Sequence, residues 1–99
     1  MDAITAGLSG AMAGAGTLLA EVGEARVKWV EVFRDRLVVH PERMSEGADI
    51  AARLGIMACT DYPSTRPGFT VWSGRWRDLD LFVYAELRGA SRAVRAWPA

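Results

Sequence analysis

Four glycines, Gly7, Gly10, Gly14 and Gly16, fall within a ten-residue span that otherwise reads as a helix. Ile4, Leu8, Ala11, Met12, Ala15, Leu18, Leu19 and Val22 recur at three- and four-residue spacing, which is an apolar helical stripe. Asp2 is a suitable N-cap. A second stripe of small residues, Ala3, Gly7, Gly10, Gly14 and Thr17, runs beside the first. Small side chains in line let another backbone approach closely. The glycines together disfavour the helix by roughly 2–4 kcal/mol relative to alanine. Such a helix cannot stand alone, so packing must offset the loss. We therefore expect Gly7, Gly10 and Gly14 at a close helix contact, within the domain or with a partner.

The length predicts a single domain, 1–99, large enough to bury a core of its own. With 51% hydrophobic and 24% charged residues the composition is globular. Formal net charge is zero, whereas DNA-binding domains usually carry a positive field. Residues 1–50 hold five basic and eight acidic side chains, and residues 51–99 hold seven arginines against four acidic groups. Cys59 is the only cysteine. That excludes an intramolecular disulfide and fits a reducing cytoplasm. Residues 3–20 carry no charge, but Asp2 stands where a signal peptide wants a basic residue. The stretch is mostly Ala, Gly, Ser and Thr, too weakly apolar for a membrane span. A small membrane-associated protein, held through residues 3–20, remains the third reading.

Residues 24–39 admit two structures. As a helix, Ala25, Trp29, Val32, Phe33 and Leu37 form one face, opposite Glu24, Lys28, Glu31 and Asp35. As a hairpin, the valine content fits, but the alternation is poor and a turn near Arg34–Asp35 lacks Gly or Asn. We expect the helix, with the hairpin as the alternative. Ser45 reads as the N-cap of a helix reaching about Met57, with Glu46 and Asp49 complementing its dipole. Residues 61–68, with Pro63, Pro67 and Gly68, read as a loop. "FTVW" reads as a strand, Ser73–Gly74 as a turn, and "DLDLFVYAEL" as a second strand. In the latter Leu79, Leu81, Val83, Ala85 and Leu87 alternate with Asp80, Phe82, Tyr84 and Glu86. "RGASRAVRAW" reads as a short basic helix. The expected fold is thus α+β: a Gly/Ala-rich helix, central helices, then a C-terminal β-hairpin and short helix.

"ADIAARLGI" matches the first helix and turn of a helix-turn-helix, through Ile50, Ala51, Leu54 and Gly55. The recognition helix would have to be "MACTDYPSTRPG", which Pro63 and Pro67 interrupt. DNA binding through 46–66 is therefore the runner-up. "GAMAGAGT" lacks the lysine of a phosphate-binding loop, and Leu19 replaces the third glycine of a dinucleotide fingerprint. Cys59 and His40 are too far apart in sequence to imply a nucleophile and base, and together they are too few for a structural zinc site. Asp61, Asp78 and Asp80 could meet a hard cation, but Asp78 and Asp80 are expected to be alternating charges on the wet face of a hairpin.

"WSGRWR", residues 72–77, crowds two tryptophans and two arginines at a supposed turn, with Phe82 and Tyr84 nearby. Trp, Tyr and Arg are enriched at interface hot spots. The expected partner-binding residues are Trp72, Arg75, Trp76, Arg77 and Tyr84, with Gly7, Gly10 and Gly14 on the helix. No cofactor, metal or catalytic residue is expected. The function expected is non-catalytic: an interaction or assembly protein that docks on a larger complex or on itself. A virion subunit or a small mobile-element-encoded inhibitor would suit the size.

Overall fold

A computed structural model describes residues 7–89. Its frame is a five-stranded mixed sheet in the order β1-β2-β5-β4-β3. The strands are β1 (Val27–Val32), β2 (Arg36–Pro41), β3 (Ala58–Tyr62), β4 (Phe69–Trp76) and β5 (Leu79–Glu86). β2 and β5 pair in parallel, and the other neighbours pair antiparallel. Helices α1 (Leu8–Val22) and α2 (Gly47–Arg53) pack on one face of the sheet. The core lies between the two layers. Ala11, Ala15, Leu18 and Val22 from α1 and Ile50 and Ala51 from α2 meet Leu37, Val39, Leu79, Leu81 and Val83.

This architecture replaces the expected one. The helix drawn through residues 24–39 is the β1–β2 hairpin. Its alternation is hidden by a bulge at Lys28, between the pairs Val27↔Pro41 and Trp29↔His40. The bulge moves the inward positions from Val27 to Val30 and Val32, so no single period of two spans the strand. The loop expected from Asp61 begins inside a strand, β3. The C-terminal hairpin and short helix do not match either. β4 runs unbroken through Ser73–Gly74, and the reversal falls at Arg77–Asp78, with φ of 55° and 70°. Both residues have the positive φ of the tight turns that suit β-hairpins. Gly74 serves packing instead of turning: a Cβ there would lie 3.1 Å from Ile56 Cδ1. β4 and β5 are central members of the sheet, not a separate hairpin. A turn follows β5 at Arg88 and Gly89. The rest of the supposed C-terminal helix lies outside the described residues, as do Asp2, Ala3 and Ile4.

The helix expected from Ser45 to Met57 is shorter. A 3-10 turn (Met44–Glu46) leads into α2, and Gly55, at φ 76°, ends the segment. Arg26 fixes this region to the start of β1. Its Nε donates to Glu46 (2.8 Å) and its Nη2 to Asp49 (2.7 Å). Those contacts raise the pKa of Arg26 and lower that of Asp49.

A second polar clasp ties edge strand β3 to the end of β5. Arg88 donates to both carboxylate oxygens of Asp61 (3.1 and 2.7 Å), while the Thr70 hydroxyl donates to Asp61 (2.7 Å) and accepts from the Arg88 backbone N–H (3.0 Å). Arg88 first, and Thr70 second, hold the Asp61 pKa below its ordinary 3.8. A carboxylate whose folded pKa is depressed contributes stability above the ordinary value and loses it as pH falls through the lowered one. The melting temperature should therefore fall as acid protonates Asp61. Asp61→Asn should melt lower at neutral pH and show a shallower acid slope. An unchanged slope would mean that the clasp contributes nothing.

Candidate functional site: the open face of the sheet

Alternation along each strand sends one set of side chains to the helices and the other to the opposite face. Among the described residues no helix or loop covers that second face. Five rings cross it, one from each strand: Trp29 (β1), His40 (β2), Tyr84 (β5), Phe69 (β4) and Tyr62 (β3). They stack in series with centroid separations of 4.4, 4.7, 5.4 and 4.9 Å and interplanar angles of 20–29°. Register places Val38, Phe82 and Val71 beside this line. Trp29 and Tyr62, at its two ends, are 49% and 43% exposed. The result is one aromatic and aliphatic band across the width of the sheet.

Charge is confined to the ends and one edge of the band. At one end Asp80 pairs in register with Arg36 on β2 and Arg75 on β4, and Arg75 Nη1 donates to it at 3.0 Å. At the other end stands exposed Glu86, the last residue of β5. At the β1 edge Glu31 Oε2 lies 3.0 Å from His40 Nε2 and 3.5 Å from Trp29 Nε1. The stack is thus braced by an acceptor that also orients two of its rings.

Because the rings face one another, they turn mainly edges to solvent. Nucleic-acid platforms offer free ring faces to bases, in a positively charged groove. Here Lys28 Nζ stands over the Trp29 ring, 5.8 Å from its centroid, and the band carries carboxylates at its end and edge. The segment where a recognition helix would follow α2 is strand β3.

The residues expected to form one patch are divided between the two faces. Arg75 and Tyr84 lie on the open face. Trp72 and Trp76 point the other way and pack against the core. Trp72 Nε1 is buried there without an acceptor among the described residues. Arg77 sits in the β4–β5 turn with its guanidinium 5.4 Å from the Trp76 ring centre. Gly14 is buried, and a Cβ there would meet Leu79 Cδ1 at 3.0 Å and Trp76 at 3.6 Å. Gly10 and Gly14 line a cleft of about 370 Å³ between α1 and the Arg77–Asp78 turn. Gly7 is the N-cap of α1. Of the small-residue stripe, Gly14 thus seats α1 on the sheet of its own domain, while Gly10 borders the cleft. Trp76→Ala should accordingly lower stability by about 2 kcal/mol, a partial core deletion. A thermal melt checks this, and an unchanged melting temperature would return Trp76 to the surface.

Cys59 and His40 lie on opposite faces with β5 and β4 between their strands, so they cannot form a catalytic pair. Asp61 and Asp80 are engaged by different arginines. Among the described residues no cluster of three His, Cys, Asp or Glu could hold a metal, and no helix is long and apolar enough to cross a membrane.

Sequence reasoning missed most of the open-face residues, though one signal was present. Phe82 and Tyr84 make β5 apolar on both faces, and Val38 and Val71 do the same for β2 and β4. Strands of that kind normally have both faces covered. No protein-family model, curated protein or solved structure matches the chain.

Proposed function

We propose that this is a non-catalytic interaction protein that binds a protein partner through the open face of its sheet. One observation carries the reading: the three central strands are apolar on both sides, yet helices pack on only one. Contiguous exposed apolar patches of a few hundred Å² on small domains commonly mark interaction surfaces, and aromatic residues with a charged rim are typical of such surfaces. A cytoplasmic setting suits the lone, half-buried Cys59.

The test compares tagged wild-type protein, Phe82→Asp and Arg53→Glu as baits in the native cell. Phe82 lies in the band, and Arg53 is exposed on α2. Proteins retained by wild type, untagged copies of the chain included, should be kept by Arg53→Glu and lost by Phe82→Asp. Retention by all three baits alike would refute the reading.

A further inference from the structure

We infer that the occupant of the open face is a second copy of this chain, stacked face to face with its strands antiparallel. The inference rests on the interaction reading above and commits it to self-association. Five strands at about 4.8 Å spacing and six residues at about 3.3 Å rise give a footprint near 24 by 20 Å. Two copies then cover about 1,000 Å² before side-chain relief is counted, the lower limit of a biological interface and the size class of weak, reversible association. Aligned packing of two sheets through apolar inner faces is the arrangement of a β-sandwich.

Charge selects the orientation. Consider a two-fold axis in the interface, perpendicular to the strands and crossing β5 near Val83. It lays β5 on its symmetry mate and brings Phe82 of one copy against Tyr84 of the other. Residues equidistant from the axis exchange places. Glu86 of each copy then lies over Asp80 of its mate, between Arg36 and Arg75. In one copy those two arginines face a single carboxylate, Asp80. Glu86 of the mate supplies the second, and this happens at both ends of the interface. With the axis along the strands, the arginine ends of the two copies would face each other and so would the Glu86 ends. The band is therefore complementary to itself in one orientation.

The experiment is light scattering coupled to size exclusion, over a dilution series reaching hundreds of micromolar. Three proteins are needed: wild type, Glu86→Arg, and the double variant Arg36→Glu/Arg75→Glu. Arg36, Arg75 and Glu86 are exposed, and circular dichroism checks that each variant is folded. Wild type should dimerise. Each variant should self-associate at least tenfold more weakly, because like charges oppose at both ends. An equimolar mixture of the two variants should dimerise again, since in the heterodimer one end carries the reversed pair and the other the native pair. Loss of a preformed dimer in Ser73→Arg, on the same face, tests the surface without altering those charges. A monomeric wild type overturns self-association. So does a dimer that survives all the substitutions, because it forms elsewhere. Neither outcome touches the capture experiment: there, loss of other proteins by Phe82→Asp would keep the face as a docking surface for a different partner.

Discussion

Gly47→Ala should destabilise the protein by about 3 kcal/mol, at the upper end of the cost of overpacking. The prediction runs against helix propensity, because replacing a glycine inside a helix by alanine normally gains about 1 kcal/mol. Gly47 is the first residue of α2, fully buried where the helix meets β5. A Cβ built on it would overlap the Tyr84 carbonyl oxygen and come within 2.5 Å of Ala85 Cβ and 2.7 Å of Ala85 Cα. The obstacle is backbone in a central strand, which cannot swing aside as a side-chain tip can. α2 must lift away, loosening Ile50 and Ala51, both at zero exposure. Gly16→Ala is the control. Nothing lies within 4 Å of the position a Cβ would take there, so that change should stabilise. Denaturant titration of both variants decides the matter. A Gly47→Ala protein as stable as wild type would mean that α2 does not sit on β5 as described.

Leu81→Ala and Phe82→Ala, neighbours on β5, should differ severalfold in cost. Leu81 is completely buried between sheet and helices, and its truncation leaves a cavity worth about 3–4 kcal/mol. Phe82 faces the other way and is only half-buried, so its truncation should cost about 1 kcal/mol in the isolated chain. The comparison belongs at concentrations low enough to keep subunits apart, since association adds stability of its own. Equal costs would show that the second face is packed as a core and does not stand open to a partner.

Local features decided what could be read from the sequence. The periodicity of α1 was legible because its apolar spacing is uninterrupted from Leu8 to Val22. Of its glycines Gly14 lies against Leu79 and Trp76, whereas Gly16 has open space beside it and Gly10 lines a cleft, a difference that the spacing alone does not show. The β1–β2 hairpin was obscured by the bulge at Lys28 and by a turn without Gly or Asn. β3 was obscured because it is a five-residue edge strand with only Cys59 half-buried, which leaves no alternation to detect. Ser73–Gly74 imitated a turn, because a glycine needed for close approach and one needed for chain reversal look alike in sequence. That error placed Trp72 and Trp76 at a hairpin tip, when both lie on the core side of a long strand. The same alternation that identified β5 also contained the open face in Phe82 and Tyr84. Only the position of the helices shows that this second apolar set lies uncovered among the described residues.

The central claim is that one face of the sheet is core and the other meets a partner. Hydroxyl-radical footprinting tests it most directly, comparing the protein in native cell extract with the dilute purified chain. Trp29, Tyr62, Phe69, Phe82 and Tyr84 should oxidise more slowly together in the extract. Met12 and Met57, exposed at 59% and 81%, provide rates for surfaces outside the band and should not change. Protection of either methionine, with those five side chains oxidised equally in both states, would place the partner elsewhere and contradict that claim.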